Sequence, residues 1–205
     1  MTRKTLSLVK ALVIIACTLP FALLVARAFG YGSLGPNPVQ EVLHTLGKTG
    51  LNLLIITLAV TPLQKLSGIR WLVALRRYLG LAMFAYVLLH AITYAALDLR
   101  FAWSTLLDDV IRRPYITVGV AALILLTPLA ITSTNAMQRR LGKRWIKLHR
   151  LVYLIGILGV VHYFWQVKVT TLEPLVYTFL LIVLLGFRVK GWLPRASQGP
   201  VVSRP

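Results

Sequence analysis

Four histidines, His44, His90, His149 and His162, stand in a chain of 205 residues that is 58% hydrophobic and only 14% charged. Two of them frame one apolar stretch, "HRLVYLIGILGVVHYFW", at His149 and His162. Neutral imidazole binds transition metals without bringing a buried negative charge. Two imidazoles that fill both axial positions of an iron macrocycle favour electron transfer over oxygen chemistry. A titratable or metal-binding ring inside an apolar span is costly, so it marks a functional site by default. The competing reading of any one such ring is an interhelical hydrogen bond in a packed bundle.

The elements that must carry these rings follow from hydropathy. With a mean hydropathy of +0.77, a soluble domain would have to bury an implausible share of its surface. Six apolar stretches, roughly 6–26, 43–63, 79–97, 116–132, 151–167 and 175–192, each have the length of a membrane-crossing helix. The expected fold is therefore an all-α integral membrane protein, a six-transmembrane helix bundle over 1–193. The tail, 194–205, has the composition of a disordered cytoplasmic segment. No room is left for a soluble catalytic domain.

Charge orients the bundle. Taking the N-terminus as inside, 17 of the 23 Lys and Arg fall on the inner side, while Glu41, Asp98, Asp108, Asp109 and Glu173 all fall outside. Lys and Arg bias in short loops sets orientation, so both termini are expected in the cytoplasm. The net charge of +18 is a topology signal: dispersed over four membrane-flanking segments, it does not form a nucleic-acid surface. The first stretch, ending near Ala26-Arg27-Ala28, also has features of a cleaved signal peptide. Its length, Lys10 and Pro20 favour a retained helix. Cys17, the single cysteine, excludes an intrachain disulfide. The outer segment 98–115 reads equally as an amphipathic surface helix or a packed loop. Thr61-Pro62-Leu63 and Thr127-Pro128-Leu129, each followed by a basic loop and a helix with a histidine, make a weak internal echo.

Depth then pairs two of the rings. His90 lies eight residues before Asp98, about 12 Å, and His162 six residues before Lys168, about 9 Å. Both stretches run outward, so the rings share a depth in the outer half of the membrane and could hold a flat macrocycle between neighbouring helices. His149, about 20 Å further in along the same helix, would suit a second, inner haem. Its ring is about 220° out of phase with His162 on an ideal helix, a mismatch that bending near Gly156 or Gly159 reduces. Thirteen residues before His90 stands Arg77, which cannot ligate iron. The alternative is that His149 is one more basic residue of "KRWIKLHR". His44, beside Glu41, reads as an interface residue.

These features resemble the ferric-reductase-like transmembrane domain family, and within it the MsrQ (YedZ) proteins. The resemblance rests on "GKTGLNLLIITLAVTPLQ", "RRYLGLAMFAYVLLH" and "ITSTNAMQRRLGKRWIKLHRLVYLIGILGVVHYFW", and covers roughly 40–190. It implies a haem b subunit of the bacterial inner membrane, with His90, His149 and His162 as haem ligands and one or two haems. The implied partner is a periplasmic molybdopterin methionine sulfoxide reductase of the MsrP type, which repairs oxidised proteins and houses the catalytic site. Electrons would come from the quinone pool or a cytosolic flavin reductase, and FMN is a further implied cofactor. Arg76, Arg77 and Arg150 on the inner rim could contact haem propionates, an FMN phosphate or an anionic donor. Two other classes remain open: a membrane scaffold or small transporter with structural histidines, and a free-standing ferric or quinone reductase.

Overall fold

The computed structural model describes residues 2–167 and 171–190, and every regular element among them is helical. They comprise α1 (Arg3–Ala28), α2 (Pro38–Ser67), α3 (Arg76–Thr93), α4 (Trp103–Arg112), α5 (Pro114–Ile131), α6 (Asn135–Leu141), α7 (Lys143–His149), α8 (Leu151–Gln166) and α9 (Leu172–Lys190). A 3-10 turn, Arg70–Leu75, leads into α3, and a π-helical turn, Tyr94–Asp98, leads out of it. Five stretches are long and apolar enough to cross a membrane: Lys4–Ala28, Pro38–Ser67, Arg70–Asp98, Pro114–Ile131 and Lys143–Gln166. The sixth apolar stretch of the sequence folds as α9, a helix of 19 residues. Lys168 and the tail 194–205 lie outside the described residues.

Helix ends are set by local chemistry. The Asn37 side chain accepts from the Gln40 N–H, and Pro38 opens α2 with its φ already helical. Gly68, at φ 72°, closes the same helix in the left-handed conformation that a Cβ would disfavour. Without water in the hydrocarbon, such satisfied backbone is what lets these segments span.

The bundle is built on two antiparallel hairpins, α2 with α3 and α5 with α8, with α2 through the centre. Leu46, Leu54 and Leu58 of α2 are buried, while Leu8, Leu12, Ile15 and Leu19 of α1 are exposed, as the lipid-facing side of a peripheral span should be. Small residues bring the helices close, as expected where lipid competes with side chains for apolar contact. A Cβ on Gly156 of α8 would sit 3.1 Å from Leu181 of α9.

Tyr86 fixes α1 to α3. Pro20 interrupts the ladder of α1, and the Tyr86 hydroxyl enters the break, accepting from Phe21 N–H at 3.0 Å and donating to the Cys17 carbonyl at 2.7 Å. Tyr86→Phe should leave both backbone groups unpaired and cost about 1 kcal/mol. A thermal scan in detergent should read this as a fall in Tm of about 2–4 °C. An unchanged Tm would show that the hydroxyl is not what holds α1.

Segment 98–115 contains the helix α4. Trp103, Leu107 and Ile111 are exposed along one side, and Asp109 is turned inward, 5% exposed, accepting from Tyr94 at 2.5 Å and paired with Arg113 at 2.7 Å. Glu173 at the start of α9 pairs with Lys48 of α2 and accepts from Tyr163 of α8 at 2.8 Å. These contacts, Lys48 first, hold its carboxyl below the usual carboxylate range. Because its folded-state pKa is depressed, the contribution of Glu173 is present above about pH 4.3 and is lost as pH falls through the folded value. Glu173→Gln should therefore lower stability near neutrality and flatten the acid limb of a stability–pH profile, the variant and the wild type converging as pH falls below the folded value.

Candidate functional site: a histidine pair between two hairpins

His90 of α3 and His162 of α8 are brought together, ring centroids 6.1 Å apart and planes at 80°. Each ring is anchored in the same way by the partner helix of its own hairpin. His90 Nδ1–H donates to the Leu43 carbonyl of α2 at 2.9 Å, and His162 Nδ1–H to the Tyr115 carbonyl of α5 at 2.6 Å. A carbonyl can only accept, so the proton sits on Nδ1 and the Nε2 lone pair is left free in both rings.

Glycine makes this approach possible. Four residues after each carbonyl, on the next turn of the same helix face, stand Gly47 and Gly119. A Cβ on Gly47 would meet the His90 ring at 3.1 Å, and one on Gly119 would meet His162 Nδ1 at 2.8 Å. Any side chain there would push the imidazole away from its carbonyl. The two anchors are copies: His162 follows His90, Gly119 follows Gly47, and Tyr115 follows Leu43, each by 72 residues.

The pair fits a six-coordinate iron with two axial imidazoles. Two metal–nitrogen bonds of about 2 Å, with about 1.1 Å more from each nitrogen to its ring centroid, require roughly 6.2 Å between centroids. The backbone carbonyls supply the outer hydrogen bonds that orient ligating histidines and raise their basicity. No cluster of three or more His, Cys, Asp or Glu forms among the described residues. Among the described residues the pair thus stands as two imidazoles with free Nε2 atoms at a spacing that an iron macrocycle would match.

His149 is placed elsewhere. The sequence suggests one continuous helix carrying both His149 and His162, bent near Gly156 or Gly159. Instead His149 ends α7, and Arg150, exposed between α7 and α8, marks a tight turn with bonds from Arg150 N–H to Lys147 O and from Tyr153 N–H to Arg150 O. Such i→i+3 bonding turns the chain about 120° per residue in place of 100°, so the phase counted on an ideal helix does not apply. The His149 ring stacks on Trp145, 3.8 Å between centroids, and its Nδ1–H donates to the Trp145 carbonyl at 3.1 Å. Its Nε2 faces the Ser133 hydroxyl at 3.5 Å, while that hydroxyl donates to the Leu129 carbonyl at 2.6 Å. Trp145 in turn donates to the Thr132 carbonyl at 2.9 Å, pinning α7 to the end of α5.

Arg77 meets the same turn. Its Nε–H donates to the Ser133 carbonyl and its Nη1 to Asn135 Oδ1 at 2.7 Å. Arg77 precedes His149 by 72 residues, so it occupies in the first hairpin the place that His149 holds in the second. The end of the bundle at Arg77 thus presents one imidazole and one guanidinium where the end at His90 presents two imidazoles. His44 joins neither group; its Nε2 accepts from Gln166 Nε2 at 3.2 Å, tying the outer ends of α2 and α8.

The glycines and carbonyls are the part of the site that residue types alone do not single out. Their signal is the shared spacing of 43 residues from each glycine to its histidine.

Known proteins are similar to this chain in sequence. The family described as "Ferric reductase like transmembrane component" matches residues 46–160. A protein of Azospira oryzae named "Protein-methionine-sulfoxide reductase heme-binding subunit MsrQ" is 48% identical over 206 residues, covering 100% of this chain and 88% of the relative. A protein of the same name from Xanthomonas axonopodis pv. citri is 46% identical over 185 residues, covering 88% and 85%. One from Xanthomonas campestris pv. campestris is 48% identical over 160 residues, covering 78% and 73%. A match spanning more than half the chain, together with near-half identity along nearly all of it, places this chain in the MsrQ family of ferric-reductase-like transmembrane proteins.

Proposed function

We propose that the chain is the haem-binding membrane subunit of a methionine sulfoxide reductase system, carrying electrons outward to a periplasmic molybdopterin reductase of the MsrP type. The observation that supports this best is the His90–His162 pair, 6.1 Å between centroids and with both Nδ1 protons committed to carbonyls. A haem b held there supplies a one-electron ferric/ferrous couple. His90 and His162 would hold its iron through their free Nε2 atoms. Gly47 and Gly119 keep the two rings against their carbonyls, and the carbonyls hold the tautomer that leaves Nε2 free. The apolar helices around the pair exclude water and close the site to oxygen ligands.

The proposed topology has six spans, α9 being the last, with both termini in the cytoplasm of a bacterium and the bundle in its inner membrane. The outer pair then lies toward the periplasmic partner. His149, with Arg77 and Arg150 near the inner rim, is the candidate for a second haem or for anion contacts with propionates or an FMN phosphate. The donors that fit this orientation are the quinone pool and a cytosolic flavin reductase. The system implied by the relatives' name reduces methionine sulfoxide in proteins, so the chemistry of oxygen removal belongs to the partner.

The test is reconstitution in vesicles with the partner enclosed and methionine sulfoxide as final acceptor. Quinol, or flavin reductase with its nucleotide, is added outside. The proposal expects sulfoxide reduction that needs this chain. Reduction of ferric chelates with no transfer to the partner would instead support a free-standing reductase. Protein free of haem after expression with haem supplied would support a scaffold. His149→Ala is expected to leave the outer low-spin spectrum intact and to lower haem per chain only where a second haem is bound. Loss of the outer signal in that variant would overturn the separation of the two ends.

A further inference from the structure

Two arginines lie inside the basic end of the bundle with no carboxylate to meet them. Pro62 has no N–H, so the Leu58 carbonyl one turn earlier in α2 lacks its usual helical partner. Arg188 of α9 covers that carbonyl through Nη2 at 3.0 Å and reaches the Tyr153 hydroxyl of α8 through Nη1 at 2.5 Å. Arg76 of α3 donates to Thr61 Oγ1 of α2 at 2.5 Å. Thr61 and Leu58 stand three residues apart on α2, one turn of the same helix, so the two guanidiniums meet α2 side by side. The Nε–H of each is buried and has no hydrogen-bond partner.

No side-chain carboxylate can balance this pair. The chain has only five, and all are at the other end: Glu41 pairs with Arg27, Glu173 with Lys48, Asp108 with Arg112 and Asp109 with Arg113, while Asp98 closes the outer π-helical turn. Two like charges with unpaired buried donors in a membrane segment call for an external anion. Guanidinium suits a phosphate, which it binds through paired N–H groups.

Depth selects the source. At 30 residues α2 is about 45 Å long, the thickness of a bilayer with its headgroups. Thr61 lies six residues, about 9 Å, before the helix end at Ser67, which puts the Arg76 contact at the border of headgroups and hydrocarbon. Lipid phosphodiesters occupy that level, whereas a soluble phosphate would have to leave water to reach it. We propose that Arg76 and Arg188 form a binding site for the phosphodiester of an anionic phospholipid, a lipid that locks α3 and α9 to the central helix. Basic pockets between spans on the cytoplasmic side of membrane proteins are suited to such headgroups.

Native mass spectrometry of the full haem-loaded protein, released from bilayers of phosphatidylglycerol and phosphatidylcholine, tests this. The wild type should retain phosphatidylglycerol, and R76Q/R188Q should retain at least about tenfold less. R139Q/R140Q, at two exposed arginines of α6, should retain as much as the wild type. Because Arg188 also covers the Leu58 carbonyl, a second measurement uses the wild type alone. Its Tm should rise on adding phosphatidylglycerol, and not on adding phosphatidylcholine, inorganic phosphate or FMN. Equal lipid retention in R76Q/R188Q, stabilisation by inorganic phosphate or FMN in place of lipid, or no preference for the anionic lipid, as when water alone fills the site, would overturn the proposal.

Discussion

His162→Ala, and equally His90→Ala, should yield a folded protein that has lost the low-spin b-type spectrum of the outer centre. The apolar core is made by other residues, Leu46, Leu54, Leu58 and Met83 among them, so the helices should remain assembled. The loss falls on the cofactor. One axial bond disappears, and with it the orienting hydrogen bond to Tyr115 or Leu43. Haem affinity should fall by more than the roughly 10- to 100-fold that loss of a supporting outer hydrogen bond costs. Haem per chain, measured as pyridine haemochrome, and the circular dichroism of the same sample read the two effects separately. Full haem content in either variant would remove that histidine from the ligand set.

Gly119→Ala is the second large effect, and it acts without touching a ligand. The added methyl would stand 2.8 Å from His162 Nδ1 and 2.9 Å from Cε1, closer than carbon and nitrogen approach, with the ring itself as the obstacle. The ring must swing off the Tyr115 carbonyl, which breaks the 2.6 Å hydrogen bond and shifts the imidazole relative to His90. Haem affinity should drop about 10- to 100-fold, with the residual haem shifted in potential. Gly47→Ala should do the same through His90, more mildly, because its nearest contact is 3.1 Å. Gly80→Ala, where a Cβ meets nothing within 4 Å, serves as the control and should change neither property. A Gly119→Ala protein with wild-type haem content and potential would mean that the ring has room to spare.

Much of this arrangement is legible from residue order, because membrane solvent makes the rules strict. Apolar runs of span length return as helices, and two histidines placed at similar depth by their distance from flanking charges return 6.1 Å apart. What order alone does not reveal depends on how surfaces meet. Gly47 and Gly119 look like ordinary small residues until a ring from another helix is laid on them. Tyr86 looks like an aromatic of the apolar face, and only the break at Pro20 gives its hydroxyl a purpose. The helix α4 and a packed loop were equal readings of 98–115, and the buried Asp109 with its two partners decides for a helix held down by one charge.

His149 shows the limit most clearly. Counting residues along an ideal helix put it out of phase with His162 on one shared axis. A tighter turn at Arg150, where α7 passes into α8 within the one stretch Lys143–Gln166, shifts that phase. The 72-residue repeat explains why the two ends differ. The shared spacing holds for the glycine, the carbonyl and the histidine at the His90–His162 end, whereas at the other end Arg77 stands where the second hairpin has His149.

Electron paramagnetic resonance of the oxidised, purified wild-type protein tests the central assignment most directly, because it reports ligand type and ring orientation together. Two imidazoles at 80° on one iron predict a strongly anisotropic low-spin ferric signal, absent from the His90→Ala and His162→Ala proteins. A high-spin signal in the wild type, or the same low-spin signal surviving in either variant, would contradict it.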